Sequence, residues 1–112
     1  MNMSIEKMGP ISLMVLPGTT LDASNAKDFK REIEPMLAAS SKFVFDMSKL
    51  TFVDSSGLAV LLSCLRQLNA SGGDLKLFGM TKPVRALFEL VRMHRVFDIF
   101  NTKDEAVHAS WN

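Results

Sequence analysis

An aspartate, two serines and a glycine stand between two apolar runs in the stretch FVDSSGLAVLL, residues 52–62. Two chemistries suit Asp54, Ser55, Ser56 and Gly57. At a strand-to-helix junction, aspartate and serine oxygens accept the orphan N–H groups of the first helical turn, so DSSG reads first as an N-cap. A helix start also carries partial positive charge and unpaired donors, so it tolerates an added phosphate. In that second reading Gly57 gives the backbone room, and Ser55 projects from a strand end where a partner reaches it. Phosphorylation adds roughly −1.5 to −2 charges beside Asp54. Such a charge costs the fold little and disrupts any interface lying over the serine.

Enzyme signatures are absent from the sequence. There is no G-x-x-x-x-G-K-[ST] phosphate loop and no G-x-G-x-x-G fingerprint. Val53 and Asp54 stand two places before Ser55 and Ser56, so neither serine sits in a G-x-S-x-G nucleophile elbow. His94 and His108 lie far along the chain in polar surroundings. With Cys64 they lack metal-ligand spacing. No catalytic residue, metal ligand or cofactor is therefore assigned. A small hydrolase using Ser55 or Ser56 is the enzymatic rival, and labelling by a serine-directed fluorophosphonate, which we expect to fail, is its test.

The elements that must position this stretch follow from periodicity. ISLMVL (11–16) reads as a strand closed by Pro17 and Gly18, with a weaker strand before it around Ile5. Ser24 or Asn25 caps a helix in which Ala26, Phe29, Ile33 and Leu37 recur at helical spacing. Pro35 predicts a bend or break in it, at a cost of about 3 kcal/mol. KFVFDM (42–47) is a continuous apolar run, the mark of a strand covered on both faces. FVD (52–54) ends a short segment pointing into the serines. From Gly57 the pattern turns helical, with Leu58, Leu61, Leu62, Leu65 and Leu68 as one stripe, ending at Asn69 to Gly73. LKLF (75–78) is a strand. Thr81 and Pro83 open a helix with Val84, Leu87, Phe88 and Val91 inward. A strand around Val96 to Phe100 and a polar helix, Lys103 to Ala109, complete the pattern. Strands alternating with helices imply an α/β fold: a mixed sheet of four to five strands with about four helices, its parallel pairs joined by right-handed crossovers.

Bulk properties narrow the class. The 112 residues suit one domain, 1–112, with an ordinary globular composition of 47% apolar and 22% charged residues. A formal net charge of +1 builds no field for nucleic acid. Lys27, Lys30 and Arg31, and again Arg92, His94 and Arg95, read as solvated faces. A lone cysteine inside an apolar helical pattern fits a reducing compartment. No apolar run approaches the roughly 20 residues of a membrane-spanning helix. MNMSIEKMGP lacks the layout of a signal peptide. A cytoplasmic location without membrane insertion is the expectation.

Four stretches in order resemble the STAS domain family, specifically its small anti-sigma factor antagonists. They are LDASNAKDFKREI, FVFDMSKLTFVDSSGLAVLL, GGDLKLFGMTKPVRALFEL and VFDIFNTKDEAV, and the likeness extends over about residues 11–108. The resemblance implies that Ser55, directly after Asp54, is the phosphoacceptor. It places Ser56 at a position often held by serine or threonine, and Asp22 near the serine loop. The family usually has Gly, an acid, an apolar residue and Asp before the first helix, whereas this chain has Gly18-Thr19-Thr20-Leu21-Asp22. The implied mechanism is partner switching. The unphosphorylated protein binds an anti-sigma factor that is a serine kinase of the histidine-kinase-type ATPase class, the kinase phosphorylates it with its own ATP, and a serine phosphatase resets it. The contact surface is expected to comprise Asp22, Asp54, Ser55, Ser56, Gly57 and Leu58, on a monomer or weak dimer, since Met93 to Phe100 can pack internally or against a second copy. The alternative within the family is an accessory subunit docking on a transporter ATPase with no phosphoswitch.

Overall fold

Gly9, at φ +62°, lets the chain reverse between β1 (Ile5–Met8) and β2 (Ile11–Val15), which pair antiparallel with Met8 opposite Ile11. The computed structural model describes residues 3–111. β4 (Lys42–Asp46), β6 (Asp74–Phe78) and β7 (Asp98–Phe100) extend the sheet by parallel pairing, in the order β1-β2-β4-β6-β7. The expected mixed α/β sheet of five strands is present. Two further short strands, β3 (Thr20–Leu21) and β5 (Phe52–Val53), pair with each other, parallel, outside this sheet. FVD is legible as a strand end in the sequence, whereas its partner Thr20–Leu21 is not, because two residues carry no periodicity.

Among the described residues four helices cover the sheet: α1 (Ala26–Ala38), α2 (Ser55–Ala70), α3 (Lys82–Leu90) and α4 (Lys103–Val107). The larger core joins Met14, Phe43, Phe45, Leu75 and Leu77 of the sheet to Phe29, Ile33, Leu61, Leu68 and Phe88 of α1 to α3. On the other face Ile11, Leu13, Val44 and Phe78 meet Ala106 of α4. Burial on both faces explains the unbroken apolar run of β4. The α4 terminus is held by a capping box between Thr102 and Glu105. Lys76, almost fully buried on that second face, pairs with Asp98 at 2.8 Å and Asp74 at 3.2 Å. Burial opposes its charge, yet the two carboxylates outweigh burial and hold its pKa above the ordinary lysine value.

Several expectations are corrected. Pro35 neither breaks nor ends α1, which runs on to Ala38. Pro35 is exposed, so the carbonyl it leaves unbonded is one turn back on the solvent side, while buried Ile33 and Leu37 hold the helix to the core. α2 begins at Ser55 and not at Gly57. Its inner stripe is Val60, Leu61, Cys64, Leu65 and Leu68, with Leu58 and Leu62 only half-buried. Val91 is exposed, because α3 ends at Leu90 and a 3₁₀ turn, Met93–Arg95, follows. In the segment from Met93 to Phe100, Phe97 is buried and packs on Phe88, while Val96 is exposed. Cys64 is buried as expected, and burial pushes its thiol up to about 12.

Candidate functional site

Parallel pairing of β3 with β5 sets Leu21 beside Val53, so the next residue but none on each strand, Asp22 and Asp54, leave the pair side by side. The Asp54 N–H donates to the Leu21 carbonyl at 3.3 Å. Thr51 N–H donates to the Thr19 carbonyl at 2.8 Å and closes the other end. Short as they are, the two strands fix where both aspartates emerge.

Asp54 is the N-cap of α2 and ties two segments together. Its Oδ1 accepts the Gly57 N–H at 3.0 Å, and its Oδ2 accepts the Ala23 N–H at 3.0 Å. These donors, Gly57 foremost with Ala23 and Ser56 adding, outweigh a desolvation penalty and hold the carboxyl below its ordinary value near 3.8. The cap expected from the residues alone is therefore present, on the aspartate and not on the serines.

Asp22 organises the entry to α1. Its carbonyl accepts the Ala26 N–H at 2.8 Å, and its Oδ1 accepts the Ser24 N–H at 2.9 Å. Asn25 occupies the N-cap position of α1 without capping it. Its side chain accepts the Asp22 N–H and donates to the Thr20 carbonyl, both at 2.9 Å. Neither Ser24 nor Asn25 is the expected side-chain cap. Both amide ends of Asn25 are thus spent on the Thr20–Asp22 backbone.

Ser55 and Ser56 are the first two residues of α2. Ser55 is exposed and Ser56 half-buried. Neither hydroxyl has a hydrogen-bond partner among the described residues, and neither histidine is bonded to them. Ser55 Oγ thus stands free on a helix N-terminus, on the residue that follows Asp54.

Gly57 has a different role from the one expected. It is buried, and a Cβ there would lie 2.1 Å from the Leu21 carbonyl oxygen and 2.9 Å from Val53 Cγ1. Its missing side chain lets α2 lie against β3. Leu58 is half-buried and packs on the core. Beside the pair, Phe52 is 53% exposed. Sequence reasoning passed over Phe52, although the alternation Phe52-Val53-Asp54 turns Phe52 away from buried Val53. Among the described residues no group of three or more His, Cys, Asp or Glu side chains is arranged to hold a metal ion.

A mixed sheet carrying a serine-headed helix beside paired aspartates defines a class. The STAS domain family model matches residues 2–106, and the chain belongs to that family. Several of its curated relatives are named anti-sigma factor antagonists. BtrV of Bordetella bronchiseptica, a candidate anti-sigma factor antagonist, is 26% identical over 110 residues, covering 97% of this chain and 94% of that one. The crystal structure of a candidate anti-sigma factor antagonist of Thermotoga maritima superposes with a TM-score of 0.86 at 23% identity, covering 94% of this chain and 91% of that one. The Bacillus cell fate determinant SpoIIAA, solved in a phosphorylated form, gives a TM-score of 0.69 at 21% identity, covering 95% of this chain and 96% of that one.

Proposed function

We propose that this protein is an anti-sigma factor antagonist whose binding is switched by phosphorylation of Ser55. The observation that carries the reading is the free, exposed hydroxyl of Ser55 at the start of α2, directly after the N-cap Asp54. In this reading Asp22, Asp54, Ser55 and Ser56, with Leu58 at the edge, form the surface that meets an anti-sigma factor serine kinase. Gly57 lies beneath that surface and seats it. Phe52 adds an exposed aromatic anchor, the residue type that carries binding energy at interfaces. Relatives named as antagonists, and one relative of known structure described in a phosphorylated form, support the assignment.

The energetics suit a switch. A phosphate on Ser55 meets the partial positive charge of the α2 start and the negative charge of two neighbouring carboxylates, so the fold changes little in stability. At an interface the same phosphate brings like-charge repulsion and a desolvation cost. Each tenfold loss of affinity requires only about 1.4 kcal/mol. The chain is then a binding protein and a kinase substrate, not an enzyme, and a phosphatase resets it. A cytoplasmic setting fits this role.

The test is affinity capture from the native cells with wild type, Ser55→Ala and Ser55→Asp as baits. A serine kinase retained by wild type and Ser55→Ala and lost by Ser55→Asp is the expected pattern. Equal retention by all three baits, or recovery of a transporter ATPase in place of a kinase, contradicts the proposal.

A further inference from the structure

Far from the serines, the edge strand β1 borders a groove. Its alternation turns Ile5 toward the larger core and Met8 toward the smaller one, so Lys7 points to the side of α1. Between Lys7 and the last turn of α1 lies an open groove of about 370 Å³, at the lower end of the roughly 300–1,000 Å³ typical of small-molecule sites. Its lining includes the apolar Ile5, Pro35 and Met36 and the polar Lys7, Ser12 and Ser40.

The polar groups form a directed chain. Lys7 Nζ donates to Ser12 Oγ at 3.0 Å, Ser12 to Ser40 Oγ at 3.1 Å, and Ser40 to the Lys42 carbonyl at 3.4 Å. Each hydroxyl has one hydrogen and spends it along this chain, whereas the ammonium has three and spends one. Lys7 is therefore the group with donors to spare. Ser12, only 2% exposed, pins it in place. No carboxylate pairs with Lys7 among the described residues. The carbonyl end of α1 beside it disfavours an anion, so the single charge of Lys7 must carry the attraction and suits one negative charge rather than two.

We propose that this groove binds a small monoanionic amphiphile, an aliphatic carboxylate whose head sits on Lys7 and whose tail lies along Ile5, Pro35 and Met36. The site is separate from the serine surface. α1 has 13 residues and spans about 20 Å at 1.5 Å per residue, with Asp22 at one end and the groove at the other. The proposal thus stands whether or not Ser55 is phosphorylated. The competing role for an inward-pointing lysine on an edge strand is to prevent edge-to-edge pairing, with no ligand involved.

The experiment is a titration of the full chain with octanoate, followed by amide chemical shifts, with octylammonium and inorganic phosphate as comparison probes. Saturable shifts at Ile5, Lys7, Ser12, Met36 and Ser40 are expected from octanoate alone, with Gly57 unmoved. Lys7→Gln should weaken binding roughly tenfold or more, since it removes a charge-assisted bond. Met36→Gln, which leaves Lys7 intact, should weaken it through the tail. Absence of a saturable shift in wild type overturns the proposal. So does equal binding of octylammonium, or octanoate affinity unchanged in both variants. Self-association of Lys7→Gln without any octanoate response in wild type assigns Lys7 to edge protection instead.

Discussion

At the scale of single residues, two neighbours divide the work. Asp54 holds structure, and Ser55 is left free. Replacing Asp54 by alanine removes the acceptor of the Gly57 and Ala23 N–H groups, so the variant should melt at a lower temperature than wild type. The sign of the pH dependence follows from the lowered carboxyl pKa. A carboxyl depressed by folding stabilises above its unfolded value and loses that contribution as pH falls through its folded one. The melting gap between wild type and Asp54→Ala should be full at neutral pH and shrink below about pH 4. A gap that stays constant in acid contradicts the capping role. Ser55→Asp, by contrast, changes an exposed side chain without a bond, and its stability should stay within about 0.5 kcal/mol of wild type by urea unfolding.

At the scale of elements, the contact of α2 with β3 sets the geometry. In an exposed helix, glycine to alanine gains about 0.8–1 kcal/mol. Gly57→Ala should do the reverse, because the new methyl meets the Leu21 carbonyl, and overpacking costs about 1–3 kcal/mol. Urea unfolding decides the sign, and a stabilised Gly57→Ala contradicts the close-approach reading. Phe52→Ala should leave stability nearly intact and weaken partner capture, as an exposed aromatic anchor would. The elements visible in the sequence are those with enough residues to show a period, such as β4 with its buried Phe43, Val44 and Phe45, or α1 with Phe29, Ile33 and Leu37. DSSG was legible as a cap for the same reason: the chemistry is local. The β3 strand and the burial of Gly57 were not legible, since both depend on residues 30 or more positions apart meeting in space. The continuity of α1 through Pro35 also depends on context, because packing on both sides of the proline holds what local propensity opposes.

At the scale of the whole molecule, the five-stranded sheet is a rigid support with the serines at one place and α4 on its other face. A core packed on both faces resists displacement, so a phosphate at Ser55 should act where it sits and not by reshaping the fold. Amide shifts on phosphorylation should concentrate in residues 20–25 and 52–60 and leave β1 and α4 unchanged. Shifts spread through α4 would contradict a local charge mechanism. The most direct test of the account is phosphopeptide mass spectrometry of the protein purified from its own cells under changing growth conditions, with Ser55→Ala as control. The account predicts phosphate on Ser55 at an occupancy that changes with growth and is absent from Ser55→Ala. Serines that stay bare under every condition would contradict it.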